Sequence, residues 1–319
     1  MDIKTYSEQI LKETEKIIVG KHDEIELILT ALFAEGHILL DDVPGTGKTT
    51  LVKTLSRALG LESKRIQFVP DLLPSDIIGM NIYNQKSGEF QLMQGPVMTN
   101  LLLADEINRA IPRTQAALLE AMEEKQVTID GVTYALPQPF VVMATQNPVE
   151  QESTFRLPAA QLDRFMIRLS LGYPDGASEK AMLFNLGDAI PFDKVEKVAD
   201  ADTLAEAQKQ IYEVYMSDVV ADYIISLISA TRENPMLKMG ASPRASRALY
   251  KAAKARAAMQ GRDYVIPDDV QYVAAPVLCH RLIISNEARL AKLSAEQIIA
   301  EILASVPVPP EKKDYFTRK

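Results

Sequence analysis

The chain has no tryptophan, one cysteine and only three histidines in 319 residues. The lone Cys279 excludes an internal disulfide, and His22, His37 and His280 are too scattered for the spacing of a structural zinc site. No apolar run approaches the roughly 20 residues of a membrane helix, because the runs at 38–40 and 101–104 stop within a few positions. Met1-Asp2-Ile3-Lys4 opens no signal-peptide core, so the cytoplasm is the expected compartment. An excess of positive charge is missing too: 35 Lys and Arg stand against 43 Asp and Glu, a formal net charge of -8. That field offers nucleic acid and anionic lipid no general attraction. What is plentiful is apolar side chain, 47% of the residues, enough at this length for a large core and two domains.

The first half alternates short apolar strands with helical patterns, which predicts an α/β fold with a parallel sheet covered by helices. Strands are expected over 37–43, 65–69, 100–107, 139–145 and 166–171. Leu101, Leu102 and Leu103, like Val141, Val142 and Met143, are apolar on consecutive positions, as in strands buried on both faces. Turn signals at Lys86-Ser87-Gly88 and Asp130-Gly131 predict hairpins over 81–92 and 127–134. On pattern alone these could simply decorate a sheet edge.

After residues 172–176 alanine-rich helical patterns take over, so an αβα domain over 1–175 and an all-helical domain over 176–319 are expected. The helices fall at 178–186, 203–212, 218–233, 243–260, 267–284 and 288–304, several opened by Ser, Thr, Asp or Pro. The proline-rich stretch 306–310 reads as an extended tail.

The chemistry begins with Asp42-Val43-Pro44-Gly45-Thr46-Gly47-Lys48-Thr49, placed between an apolar strand and an amphipathic helix. In such a loop backbone N–H groups curl round a phosphate at a helix N-terminus, where the dipole also favours negative charge. Gly45 and Gly47 permit that path, Lys48 would reach the β- and γ-phosphates, and the Thr49 hydroxyl would bind Mg²⁺. The stricter pattern starts with glycine where this chain has Asp42. A carboxylate there repels a triphosphate unless its side chain turns away.

The strand at 100–107 carries Asp105 and Glu106 to its carboxyl end, where α/β sheets bind ligands. Asp105 suits the outer coordination of Mg²⁺, and Glu106 suits polarising a water for attack on the γ-phosphate. Acidic pairs after strands are otherwise plain helix caps. Asn147, just before Pro148, can offer an amide to that water, although Asn before Pro is also an ordinary turn former.

These residues, together with Arg65-Ile66-Gln67-Phe68, Pro70-Asp71-Leu72-Leu73-Pro74-Ser75-Asp76, Gly88-Glu89-Phe90, Ala104-Asp105-Glu106-Ile107-Asn108-Arg109-Ala110, Ala144-Thr145-Gln146-Asn147-Pro148 and Leu162-Asp163-Arg164-Phe165, resemble the MoxR family of AAA+ ATPases over nearly the whole chain. Asp-Val-Pro-Gly is common in that family's phosphate loop. The resemblance implies an αβα domain with a helical lid, ATP and Mg²⁺ as cofactors, a homo-oligomeric ring that is usually a hexamer, and a chaperone-like action on a protein client. A von Willebrand A domain protein on a separate chain is a frequent partner in the family. This chain has no Asp-x-Ser-x-Ser motif of such a domain.

By matching positions the resemblance implies a nucleotide site of Pro44, Gly45, Thr46, Gly47, Lys48, Thr49 and Thr50, with Val19 and Gly20 covering adenine. Lys48 and Thr49 look like Walker A, Asp105 and Glu106 like Walker B, and Asn147 like sensor 1. Arg164 resembles the arginine finger, with Arg156 and Arg168 as competitors and an ion pair to Asp163 or Glu152 as its local alternative. Arg156 and Ala159 stand where the family has Pro and Glu. Gly240-Ala241-Ser242-Pro243-Arg244-Ala245 resembles sensor 2, which would aim Arg244 at the γ-phosphate of its own subunit. Arg247, Lys251 and Lys254 continue from Arg244 as a basic stripe, read as a solvated face or as a surface for an acidic partner or neighbouring subunit. The hairpins match the helix 2 insert and pre-sensor 1 hairpin, which would face a ring centre or a client. A nucleotide-gated scaffold is the competing function, disfavoured by Glu106, and a nucleic-acid motor is disfavoured by the net charge.

Overall fold

The computed structural model describes residues 2–43, 45–147, 155–186 and 190–310. Its central sheet is wholly parallel, built from β1 (Ile38–Asp41), β2 (Ser63–Gln67), β5 (Leu101–Asp105), β8 (Val141–Gln146) and β9 (Ile167–Leu169) in the order β2-β5-β8-β1-β9. Side chains of a strand alternate between the two sheet faces, and here the two faces feed separate cores. Ile38, Leu40, Leu101, Leu103, Val141 and Met143 enter one apolar cluster, while Leu39, Leu102, Ala104, Val142 and Ala144 enter the other. The consecutive apolar runs therefore mark burial on both sides.

The two hairpins are β3 (Gly79–Asn84) with β4 (Glu89–Gln94), and β6 (Gln126–Ile129) with β7 (Val132–Ala135). Each is a separate two-stranded unit and not an added edge of the central sheet. The Asn81 side-chain amide donates to Asp130 across 2.8 Å, tying one hairpin to the tip of the other. Asp130 and Gly131 both have positive φ, 48° and 82°, the tight turn that Asp-Gly favours.

From Gly176 onward the described chain is helical apart from β10 (Leu237–Met239) paired with β11 (Ile283–Ile284). Two expected helices are shorter than their patterns. The one starting at Pro267 ends at Leu278, because Ile283 and Ile284 leave it to pair with β10. The one expected over 288–304 is divided into Asn286–Leu290 and Ala295–Ser305, since Lys292 turns left-handed at φ 56° and Ser294 recaps the chain with Gln297. Helices Ile3–Glu15, His22–Phe33 and Pro112–Glu124 were not evident as patterns. The first two join the sheet's face and the C-terminal helices in one continuous core running from Ile3 to Ile302.

Candidate active site

The phosphate loop leaves the carboxyl end of β1, and Gly47 caps the helix Lys48–Ala58. Gly45 and Gly47 hold φ of 89° and 84°, a region open to glycine at little cost. The Lys48 ammonium folds back over the loop, donating to the carbonyls of Val43 at 2.8 Å and Asp42 at 3.1 Å. Those carbonyls hold it where it could exchange them for phosphate oxygens. Thr49 and Thr50 occupy the first turn of the helix and are half-buried. Pro44, Pro148 and Glu152 lie outside the described residues.

Asp42 does turn away. Its buried carboxylate accepts from the Ser170 hydroxyl at 2.8 Å and from the backbone N–H groups of Leu171 and Gly172 at 2.7 and 2.9 Å. Charge-assisted bonds of this kind are stronger than neutral ones, and these join the loop to the segment that leads into the helical part. The neighbourhood of Val19 and Gly20 reaches the same place. Lys21 donates to the Tyr173 carbonyl at 3.2 Å, and a Cβ on Gly20 would stand 2.1 Å from the Ser178 hydroxyl oxygen.

Asp105 ends β5 nearly buried, and both its oxygens are engaged. One accepts from the Thr145 hydroxyl at 2.6 Å, the other from the Arg65 guanidinium at 2.7 Å. The next residue turns sharply: Glu106 has φ 56°, which stops the strand two residues before the sequence pattern does. Its N–H donates to Thr145, and its carboxylate accepts from Gln67 at 2.7 Å and Arg109 at 2.8 Å. Asn147 follows β8 and is buried. Thr145, Arg65, Gln67 and Arg109 are thus site residues to which no individual role had been given, although each lies inside a motif stretch quoted above.

The arginines lie elsewhere. Arg164 pairs with Glu123 at 3.0 Å, and Arg244 pairs with the other oxygen of the same carboxylate. They share a cavity of about 250 Å³ with Gly36 and His37, the residues that precede β1. The phosphate loop follows the opposite end of that strand, whose four residues alone span about 13 Å. The sensor 2 match implied an Arg244 aimed at the γ-phosphate of its own subunit, and in this structure its side chain lies at the amino end of the sheet, paired with Glu123. The cause is local: Ser242, the cap of its helix, donates to Asp163 at 2.9 Å and docks that helix start beside Arg164. Asp163 also receives the buried Arg281 at 2.7 Å, and Arg281 donates further to the carbonyls of Phe165 and Met166. Asp163 is thereby withdrawn from Arg164. Neither Glu123 nor Arg281 carried a sequence signal.

Of the competing arginines, Arg168 pairs with Asp41 at 3.1 Å and Arg156 is exposed. The basic stripe is not a plain solvated face. Lys254 is buried, donating to the Tyr212 carbonyl at 2.7 Å, and Lys251 donates to the Tyr212 hydroxyl at 3.2 Å. Below them His37 is locked as a neutral ring. Its Nδ1 accepts from the Val142 N–H at 3.0 Å, so its Nε2–H donates to the Met122 carbonyl, and burial pulls its pKa down to about 4.

A five-stranded parallel sheet, a glycine loop with lysine at a helix start after β1, and an acidic pair at the end of β5, with β8 and its Asn147 lying between the two, make the site of an AAA+ ATPase. Comparison with known proteins agrees: residues 37–167 match the ATPase family associated with various cellular activities (AAA), and residues 229–302 match the AAA lid domain. The chain is 42% identical to the chaperone MoxR1 of Mycobacterium tuberculosis, over 95% of this chain and 82% of that one. It is 48% identical to the YeaC protein of Bacillus subtilis, over 93% of each. A crystal structure of a Cytophaga hutchinsonii protein described as a candidate ATPase superposes with a TM-score of 0.90 at 42% identity, covering 97% of this chain and 96% of that one. The chain belongs to the MoxR family of AAA+ ATPases and hydrolyses ATP. Among the described residues no helix is long and apolar enough to cross a membrane.

Proposed function

We propose that this ATPase works as a ring, usually hexameric in the family, in which the phosphate loop of one copy faces Arg164 and Arg244 of the next. The observation that carries this is the separation of the two halves of the site. Loop and acidic pair lie at the carboxyl end of the sheet, while the arginine pair lies at its amino end. One copy cannot bring both to one phosphate, whereas adjacent copies can.

Within a copy, the N–H groups of Gly45, Thr46 and Gly47 cradle the phosphates, with Thr50 beside them and Val19–Gly20 covering the base. Lys48 exchanges its loop carbonyls for β- and γ-oxygens. The donor set suits a hard cation: Thr49 offers a hydroxyl, and Asp105, its oxygens already engaged by Thr145 and Arg65, fits contact through water. Mg²⁺ held there would neutralise phosphate charge. Glu106 accepts the proton of the attacking water, which Asn147 helps to orient, and the water oxygen displaces ADP from the γ-phosphorus. For this Glu106 must leave Gln67 and Arg109. Charge on the transferring phosphoryl group meets the neighbour's arginines, a contribution worth about 10³–10⁵ in rate in related systems.

Turnover would remodel or activate a separate client protein, a von Willebrand A domain protein being the class that the resemblance points to. Exposed Met80, Ile82, Tyr83, Phe90 and Met93 on the β3–β4 hairpin supply an apolar surface for such contact. Specific ATPase activity measured against protein concentration tests the shared site: it should rise steeply as copies meet. A constant specific activity down to concentrations where the protein sediments as a monomer would refute the ring.

A further inference from the structure

Glu123 stands where helix stability does not place it. It lies in the last turn of Pro112–Glu124, at the negative end of the helix dipole, where an acidic side chain is disfavoured. What it does meet is Arg164 on one oxygen and Arg244 on the other. The nearby carboxylate of Asp163 is taken by Arg281 and Ser242, and among the described residues Glu123 is the acid that pairs with both guanidinium groups. The cavity wall also carries Lys125, Arg247 and Lys251, of which Lys125 is held by Glu35 at 2.8 Å. Around the two arginines it is an anion site filled by the chain's own Glu123.

We propose that Glu123 is an internal latch that occupies Arg164 and Arg244 until the γ-phosphate bound by a second copy displaces it. This rests on the shared-site reading above. The latch is weak enough to open, because the three side chains are 37%, 29% and 43% exposed and solvent screens their pairing. A terminal phosphate presents more charge and three oxygens to the two planar forks, and it prevails over a single carboxylate. Release of both arginines is thereby coupled to the arrival of a loaded neighbour. ATP becomes a requirement for assembly as well as the substrate.

The test is ATPase activity against protein concentration for wild type, Glu123→Gln and Glu123→Ala, with circular dichroism melts to show that each is folded. Removing the latch abolishes both pairs and should lower the half-saturating protein concentration by about tenfold, the scale of two screened ion pairs, with no fall in the rate at saturation. Both variants must shift the same way. In an Arg164→Ala, Arg244→Ala background, ATP-dependent assembly followed by sedimentation should no longer respond to Glu123→Gln. An unchanged or raised half-saturating concentration, or a lower saturated rate, would overturn the latch and make Glu123 a residue that merely orients the arginines. Failure of the underlying reading looks different: mixed Arg164→Ala and Lys48→Ala subunits would then regain no activity, whatever Glu123 does.

Discussion

The two ends of the parallel sheet are built on opposite charge logic. At the carboxyl end the loop offers Lys48 and backbone N–H groups, and every nearby carboxylate is tied down. Asp42 is held by Ser170, Leu171 and Gly172, Asp105 by Thr145 and Arg65, and Glu106 by Gln67 and Arg109. At the amino end the roles reverse, and two arginines are held by one acid, Glu123. Each end satisfies its charges internally in a way that an incoming nucleotide can exchange. The difference is that a copy carries Lys48 and backbone donors for phosphate at one end and an arginine pair for an anion at the other, halves that on the proposed reading meet between copies.

Breaking the clamp should have the largest effect. Arg164→Ala is expected to lower kcat by about 10³-fold or more while ATP affinity, read by titration with a fluorescent analogue, changes less than about twofold, because the loop of the same copy is untouched. Arg244→Ala should behave alike, more mildly. A large loss of affinity in the isolated copy would mean that these arginines reach their own nucleotide after all. At the other end, Glu106→Gln should reduce turnover by about 10²- to 10⁴-fold and leave ATP-dependent assembly intact by sedimentation. That pairing of outcomes separates the chemistry from the assembly.

A smaller effect sharpens the contrast from below. His37 sits under the clamp with a pKa drawn down to about 4 by burial. Its neutral form is the one that fits between Val142 and Met122. The unfolded chain binds a proton there below the ordinary value of about 6.5, so between these two values the unfolded state holds more protons and stability rises with pH. The contribution is complete above about 6.5 and lost as pH falls to about 4, amounting to about 3 kcal/mol. Urea midpoints measured across this window should show the slope, and a His37→Gln variant should flatten it. Asp42→Asn should be milder still, costing about 2 kcal/mol by the same assay, since an amide in place of one oxygen faces a backbone donor.

Much of the carboxyl end was legible in the sequence because its chemistry is contiguous. Loop residues follow one another, Asp105 and Glu106 adjoin a run of leucines, and buried strands declare themselves by consecutive apolar positions. The amino end was not legible in that way. Arg164, Arg244 and Glu123 come from three distant segments that meet only in the folded chain, where the docking of Ser242 on Asp163 sets Arg244 beside Arg164. A motif match could identify Arg244 as an important arginine but could not say which end of the sheet it faces. Asp42 shows the same limit in reverse: its identity was plain, but its harmlessness depends on Leu171 and Gly172, more than a hundred residues away. Helix ends failed for a related reason. Ile283–Ile284 fits a helical pattern until β10 is available as a partner, and a left-handed turn at Lys292 breaks a helix without any glycine or proline to announce it.

The most direct test of two halves meeting between copies is to mix two inactive proteins. Arg164→Ala keeps an intact loop, and Lys48→Ala keeps an intact arginine pair, so a mixed ring contains some interfaces with both. The account predicts that ATPase activity, absent from each variant alone, returns in the mixture and peaks near equal proportions. Absence of any recovery, with the two variants shown to co-assemble, would contradict it.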